Sequence, residues 1–484
     1  MAQTKSLFKN SIYNVLYKCL NVIFPLITSV YASRILLSEG IGKVASAQNI
    51  VLYFTTIASL GIPTYGVKKI AENRLNRDRL SEIFFELFTI NLFSTLVCSF
   101  VYFTMISSID YFATRKLLYY VCGINIIFNI FNVDWFYQGI EEYRYIMLRS
   151  FAIKIISLVL LLVLVRDSED YVYFALISSL ALVLNYVFNI INLRDKISFK
   201  RTKLNVLQHL KPVMVLLAVT IAVEIYTLAD TTMLTFICGD RVVGLYSNSM
   251  KIVKIVRSLI VAICAVFLPR LSLYYSQSKM QDFNSLIDRG IKVLFVLTLP
   301  TTIGLILVSN TMIPVLFGNA FLDASRTTMI LSFSIITVAF SNFFGYQILV
   351  TIGKEKLMLY STIIGAIVNV VLNAILITLL QQNGAAISSA VTEGCVALFQ
   401  LLCVRKIIKI DFNKSFFVST FCGLLCMCLV VLSIQYFVHG DILKLFLSTT
   451  IGALVYIVVM YISQNEIMVM FAKELQKKRE DKVE

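Results

Sequence analysis

Three basic residues interrupt an apolar run of the sequence. Lys251, Lys254 and Arg257 follow one another at intervals of three residues, among Val, Ile and Leu. On a helix that turns about 100° per residue, they cover an arc of about 120°. A charge is costly inside a hydrocarbon layer, so such residues usually face water or protein. The spacing indicates either a cationic cavity wall that binds an anion, or cations that extend to the interface or pair with acids on a neighbouring helix.

Other charged residues within apolar runs are further candidates for the site. Lys18 lies about two turns inside the first run, where it is a candidate to line the same cavity. Glu224 and Asp230 belong to the run that precedes the three cations. Adjacent runs joined by a short loop are usually neighbours, so these acids are candidates to pair with the cations. The alternative is a proton or cation coupling site, since a buried carboxylate with a shifted pKa can serve that purpose.

The elements that position these residues follow from composition. The 484 residues are 58% hydrophobic and 15% charged, whereas soluble proteins carry about 25% charged residues. About fourteen apolar runs have about the 20 residues needed to span a bilayer, although the fifth, 150–166, is short. They extend from 12–33 to 442–463 and include 117–138, 357–380 and 386–404. The sequence therefore predicts an all-α polytopic membrane protein of about fourteen transmembrane helices.

Loop charges orient these spans. With the N-terminus inside, the cytoplasmic segments hold about 30 Lys and Arg residues and the outer segments about 8. Lys68, Lys69 and Arg74 in the second segment are examples. The regular alternation predicts an even number of spans and two cytoplasmic termini. Because topology accounts for most of the net charge of +15, no nucleic-acid partner is required.

A weak internal repeat and the polar linkers suggest two lobes. The basic linker 194–211 falls after six spans, and Gly42–Ile50 and Gly244–Ile252 open the second span of each half in a similar way. We expect an N-terminal lobe at 1–200, a C-terminal lobe at 201–410, and two final spans with a basic tail at 411–484. Two similar six-helix lobes around a central cavity are a common transporter plan.

Signatures of enzymes and cofactors do not stand out. The sequence contains two histidines and ten cysteines without CxxC spacing, and it has no Walker loop. We therefore expect no metal, no cofactor and no enzymatic activity. Near the inner end of the fourth span, Trp135 is expected to be an interfacial anchor, and Asp134 to pair with the nearby basic loop.

Scattered motifs resemble one family of membrane proteins. The motifs are Asn14, 23–31, Ser33-Arg34, 40–42, 59–71, Arg74, Leu80-Ser81, 230–234, 243–247 and 268–271. Together they resemble the oligosaccharide flippases called Wzx, which belong to the multidrug/oligosaccharidyl-lipid/polysaccharide exporter superfamily. Related lipid II flippases carry cations in positions similar to Lys251 and Lys18. Where those proteins have a further cation in span two, this sequence has Gln48 and Asn49.

The resemblance implies a substrate and a location. The substrate would be an undecaprenyl-pyrophosphate-linked oligosaccharide for capsule or O-antigen, flipped across the bacterial plasma membrane, with a polysaccharide polymerase and glycosyltransferases as partners. Its sugars would need polar contacts, for which the candidates are Gln48, Asn49, Ser247 and Asn248. The alternatives are a multidrug antiporter for organic cations, which should have an acidic pocket, and a polymerase or ligase, which should have a long outer loop.

Overall fold

The structure, a computed structural model, describes residues 7–198, 204–405 and 414–470. The basic tail and part of the linker 194–211 lie outside these ranges. The chain divides into two compact units, Met1–Gly244 and Leu245–Glu484. The expected lobes at 1–200, 201–410 and 411–484 remain predictions.

The N-terminal unit consists of helices and short 3₁₀ turns in its described part. Its helices are α1 (Leu7–Ser59), α2 (Ile62–Asn73), α3 (Arg77–Ser108), α4 (Lys116–Phe128), α5 (Asp134–Gly139), α6 (Tyr143–Leu164), α7 (Tyr171–Leu193), α8 (Leu207–Ile237) and the first turn of α9 (Asp240–Ala265). The 3₁₀ turns are Asp110–Arg115 and Asn129–Phe131.

The C-terminal unit takes up the rest of α9 and continues in the same way. Its helices are α10 (Leu268–Ser276), α11 (Met280–Phe317), α12 (Ala324–Asn342), α13 (Glu355–Arg405), α14 (Lys414–Phe437) and α15 (Asp441–Ile462). A 3₁₀ turn at Asn319–Phe321 precedes α12, and a π-helical segment at Phe343–Leu349 follows it.

Apolar length explains this architecture. Within the described residues, ten helical segments are long and apolar enough to cross a membrane. In hydrocarbon a backbone must satisfy its own hydrogen bonds, which a helix does within one segment. The predicted all-α polytopic fold is confirmed, and the count of fourteen spans stays a prediction.

Two of the helices bend sharply at a single residue. α1 has 53 residues and α13 has 51, so each would measure about 80 Å if straight. Leu37 in α1 and Gln381 in α13 have positive φ angles, of 58° and 51°. The two arms of α13 fold back on each other. A hydrogen bond from Gln400 Nε2 to Ser361 Oγ, at 2.9 Å, joins one arm to the other. The predicted break between spans ending at 380 and beginning at 386 coincides with this turn.

The single tryptophan belongs to the core of the N-terminal unit. Only 3% of Trp135 is exposed, and its ring stacks on Phe84 at 5.8 Å between centroids. A Cβ added at Gly66 would collide with the indole, so the glycine makes room for the ring against α2. The prediction that Trp135 is an interfacial anchor is therefore wrong: the absence of a side chain at Gly66 lets α2 cover it.

Two glycines of the predicted repeat contact each other's helices. Gly42 lies early in the second arm of α1, and Gly244 lies in the first turns of α9, both within the N-terminal unit. A Cβ at Gly42 would fall on the carbonyl oxygen of Asp240, and one at Gly244 on that of Ser38. The missing side chains allow the two backbones to touch.

We expect Gly42→Ala and Gly244→Ala to destabilise the protein. Each methyl group would push two helix backbones apart, and overpacking of this kind costs about 1–3 kcal/mol. The measurement is the thermal unfolding midpoint of the purified protein in detergent.

The matched control is Gly304→Ala in α11, where an added Cβ meets no atom within 4 Å. This change should leave the midpoint equal or raise it slightly, because alanine favours the helix. Equal midpoints for Gly42→Ala and Gly304→Ala would contradict the close backbone approach.

Candidate functional site

The three cations lie on one helix, α9, in the C-terminal unit. Arg257 Nη2 donates to Ser334 Oγ on α12, and Ser249 Oγ donates to the Ala324 carbonyl at 3.0 Å. These bonds define the side of α9 that packs on α12. At about 100° per residue, Lys251 is about 160° from Ser249 around the helix. Lys251 therefore faces away from α12, and Arg257 lies at the flank of the packed side.

The two lysines differ in their surroundings. Lys254 is exposed and, within the described part of the chain, forms no hydrogen bond or ion pair. Lys251 is half-buried, and its Nζ donates to Asn248 Oδ1 at 3.1 Å. Asn248 is itself fully buried at 0% exposure, so its carbonyl holds the ammonium at a fixed place.

The charge of Arg257 is not neutralised by a described acid. Its Nε is buried without a hydrogen-bond partner in the part of the chain that the structure covers. Salt bridges in the described ranges do not include Arg257 or Lys254. Charge-assisted hydrogen bonds to an anion are about twice as strong as neutral ones. The face from Arg257 to Lys251 is thus chemically suited to an anionic group.

The other predicted contacts are distributed over both units. Lys18 is exposed on the first arm of α1, Gln48 is half-buried on the second arm, and Ser247 is half-buried on α9. Asn49 is buried, and its Nδ2 donates to Thr232 Oγ1 at 2.8 Å. This amide joins α1 to α8, so in the described arrangement it has a structural partner. Two of the predicted site residues bond directly to each other, since Lys251 Nζ donates to Asn248 Oδ1.

The two acids of α8 occupy different environments. Glu224 is half-buried, and its carboxylate accepts a hydrogen bond from Thr227 Oγ1 at 3.2 Å. Asp230 is buried, with 4% of its surface exposed. Their pairing with the α9 cations remains a prediction, as does a role in ion coupling.

An ion pair in the N-terminal unit joins Asp134 to a buried arginine that was not named from the sequence. Arg149 on α6 reaches Asp134 Oδ1 at 3.1 Å and also donates to Asn185 and Asn189. Asn189 Nδ2 donates to the same Asp134 oxygen at 2.6 Å. Asp134 was expected to pair with the nearby basic loop, and Arg149 is a residue of that predicted loop, which the structure places about two turns into α6. The available signal was an arginine directly before the predicted span 150–166.

A second buried polar group joins three helices of the same unit. His209 Nε2 lies 2.7 Å from Glu86 Oε2, and the Tyr65 hydroxyl lies 2.8 Å from His209 Nδ1. The imidazole thus bridges the tyrosine hydroxyl and the carboxyl group through its two ring nitrogens. Glu86 Oε1 also accepts from the Asn205 backbone, just before α8. Glu86 therefore holds the chain where it enters α8. Within the described residues, no three His, Cys, Asp or Glu side chains form a group that could hold a metal ion.

Comparison with known proteins identifies relatives over most of the chain. The family described as "Polysaccharide biosynthesis protein" matches residues 7–274. A putative O-antigen transporter of Shigella dysenteriae is 22% identical, over 82% of this chain and 100% of the relative. A putative O-antigen transporter of Escherichia coli (strain K12) is 23% identical, over 83% of this chain and 97% of the relative. The lipid II flippase MurJ of Bacillus subtilis (strain 168) is 25% identical over 39% of this chain and 37% of the relative.

Solved structures show the same fold at low identity. Lipid II flippase MurJ, in an inward closed conformation, has a TM-score of 0.72 at 15% identity, covering 97% of this chain and 99% of that one. An inward-facing multidrug resistance transporter of the MATE family has a TM-score of 0.60 at 14% identity, covering 80% and 94%. The predicted resemblance is confirmed. Since residues 7–274 of 484 match its model, this multi-pass helical membrane protein belongs to the polysaccharide biosynthesis protein family.

Proposed function

We propose that the protein flips an undecaprenyl-pyrophosphate-linked oligosaccharide from the cytoplasmic to the outer leaflet of the bacterial plasma membrane. Two relatives that align over nearly their whole length are named as putative O-antigen transporters. The observation that carries the proposal is the charge on α9, where Lys254 and Arg257 lie in an apolar helix without an acidic partner in the described residues.

The substrate explains why such charges are retained. A pyrophosphate carries about two negative charges and cannot cross a hydrocarbon layer of about 30 Å unaided. Lys251, Lys254 and Arg257 supply the compensating charge in a wet interior, and Lys18 adds a fourth cation. The lipid tail remains in the bilayer, so alternating access moves only the head group. This mechanism needs no covalent chemistry, and the protein acts as a transporter rather than an enzyme.

The remaining predicted residues receive supporting roles. Gln48, Asn49, Ser247 and Asn248 provide amides and a hydroxyl for sugar hydroxyl groups. For Asn49 and Asn248, sugar binding requires exchange of the bonds to Thr232 and Lys251. Glu224 and Asp230 are the proposed ion-coupling acids. Both termini lie in the cytoplasm, where glycosyltransferases build the substrate, and a polymerase receives the product on the outer side.

Deletion of the chromosomal copy tests the proposal directly. We expect loss of surface polysaccharide and accumulation of the lipid-linked oligosaccharide in the membrane lipid extract, measured by mass spectrometry. Unchanged surface polymer without accumulation would overturn the proposed function.

Substitution of Lys254 tests the charge on α9. Lys254→Ala should reduce surface polymer about 10- to 100-fold, because a hydrogen bond to a charged group contributes about 1.5–3 kcal/mol. Lys251→Ala should act in the same direction. Both variants should reach the membrane in normal amounts, as measured by immunoblot of membrane fractions.

Two matched changes distinguish charge from packing. Lys254→Arg keeps the cation and should preserve most of the export. Lys356→Ala removes an exposed lysine at the start of α13 and should leave export unchanged. Wild-type polymer in Lys254→Ala, or equal losses in Lys254→Ala and Lys356→Ala, would refute the role of this cation.

A multidrug antiporter on the same architecture is the competing function. Organic cations favour an acidic, aromatic pocket, whereas the charged stripe on α9 is basic. Expression in a drug-hypersensitive bacterium should therefore leave the minimal inhibitory concentrations of cationic dyes unchanged. A severalfold increase that requires Glu224 or Asp230 would favour the antiporter.

A further inference from the structure

A cavity in the N-terminal unit is lined by polar and apolar residues that do not belong to the cationic stripe of α9. It has a volume of about 510 Å³, within the range of about 300–1,000 Å³ of small-molecule sites. It opens between α2 and the segment that leads into α5. Its lining residues are Pro63, Thr64, Val67, Asn132, Asp134, Trp135 and Gln138.

The carboxylate in this cavity is fixed from behind. Asp134 Oδ1 receives the hydrogen bonds of Arg149 at 3.1 Å and Asn189 at 2.6 Å. Arg149 is 8% exposed and is itself anchored to Asn185 and Asn189. In the described part of the chain, the second oxygen, Oδ2, has no hydrogen-bond partner. The ion pair therefore orients the carboxylate and leaves one oxygen as an acceptor.

The rest of the wall offers donors and acceptors without further charge. The Thr64 hydroxyl and the Gln138 amide form no side-chain hydrogen bond with any residue that the structure describes. Asn132 Nδ2 donates to Asn129 Oδ1 at 3.3 Å, which leaves the Asn132 carbonyl oxygen as an acceptor. A hydroxyl, two amides and a carboxylate can both donate and accept hydrogen bonds at short range.

The polar groups of the cavity wall favour one class of ligand over others. An anion such as pyrophosphate would find no net positive charge here, because the Asp134 carboxylate of the lining is already paired with Arg149. A wholly apolar molecule would leave the amides without partners, which is unfavourable. The hydroxyl groups of a sugar each donate and accept, so they match the wall.

The indole supplies a rigid side of the cavity. Trp135 is held by Phe84 on one face and by the close approach of Gly66. Its N–H has no hydrogen-bond partner in the described ranges, and Trp135 belongs to the cavity lining. A sugar bound there would alter the surroundings of the only tryptophan of the protein.

We propose that this cavity is a saccharide-binding subsite that holds one sugar of the transported oligosaccharide through Asp134, Gln138 and Thr64. The assignment rests on the proposed function for its cargo, but the cavity is chemically distinct from the cations that receive the anionic group. The sugar and the pyrophosphate are thus recognised by different residues.

Tryptophan fluorescence of the full-length protein in lipid nanodiscs tests the subsite. The probes are methyl hexosides and methyl N-acetylhexosaminides, titrated into the millimolar range, and inorganic pyrophosphate. At least one glycoside should change the Trp135 emission in a saturable manner, and pyrophosphate should not. A Trp135→Phe variant gives the background.

Variants show whether the signal arises in the cavity. Gln138→Leu and Thr64→Val should each weaken glycoside binding about two- to tenfold, as expected for one lost hydrogen bond. The matched control is Thr89→Val, which alters an exposed threonine on α3 that bonds only within its own helix. Thermal unfolding of each variant verifies that it is folded.

The outcomes separate this proposal from the proposed function. No saturable response to any glycoside, or equal affinities in Gln138→Leu and Thr89→Val, would overturn the subsite. So would a response to pyrophosphate that displaces the sugar. The fluorescence assay measures binding and involves no transport. A saturable glycoside signal would therefore support the subsite even if deletion of the gene left surface polymer unchanged and so overturned the proposed function.

Discussion

Hydrocarbon cannot hydrogen-bond, and this constraint governs the structure. Every backbone group inside a bilayer needs a partner from the protein, and helices provide it within one segment. The same constraint acts on side chains, because a charge in this environment is stable only with a partner, with water or with a ligand. The location of charged and polar groups in the apolar helices is therefore informative about function in a way that surface charges are not.

In the N-terminal unit, the buried Arg149 and Glu86 both have partners within the same unit. Arg149 is paired with Asp134 and with two asparagines, and Glu86 with His209 and the backbone before α8. Breaking a buried pair by removing one partner costs about 3–5 kcal/mol. These groups therefore constrain which helices can separate. The cations of α9 differ, because Lys254 and Arg257 have no acid beside them in the described residues.

The fold class can be predicted from the sequence because the strongest signal in it is the length of the apolar segments. That length also decides which segments cross a membrane as helices. The break in α13 at Gln381 was anticipated within a few residues, since polar residues interrupt the run there. Lateral contacts could not be predicted in this way. Arg149 was assigned to a loop because the helix begins at Tyr143, before the apolar run. Trp135 was misplaced because its burial depends on Gly66, which is distant in sequence.

The candidate site shows the same limit. The types and spacing of Lys251, Lys254 and Arg257 follow from the sequence, but their differing environments depend on contacts with α12 and with Asn248. The side-chain amide of Asn49 could bind a sugar hydroxyl, yet in the structure it joins two helices. Distinguishing a binding amide from a structural one requires the identity of its partner, which only the tertiary structure supplies.

A lipid-linked oligosaccharide combines two chemically unlike parts, and the two sites that we propose differ in the same way. The anionic link requires fixed positive charge, and an ammonium or guanidinium supplies it at the cost of desolvation. The sugars are neutral and require many weak, directional bonds, for which amides, hydroxyls and one oriented carboxylate are suited. If one set of residues bound both parts, the carboxylate would neutralise the cations. The proposed division, with α9 for the anion and the α2–α5 cavity for the sugar, avoids this conflict. Under this proposal, the cations accept different repeat units provided that each carries the same charged link.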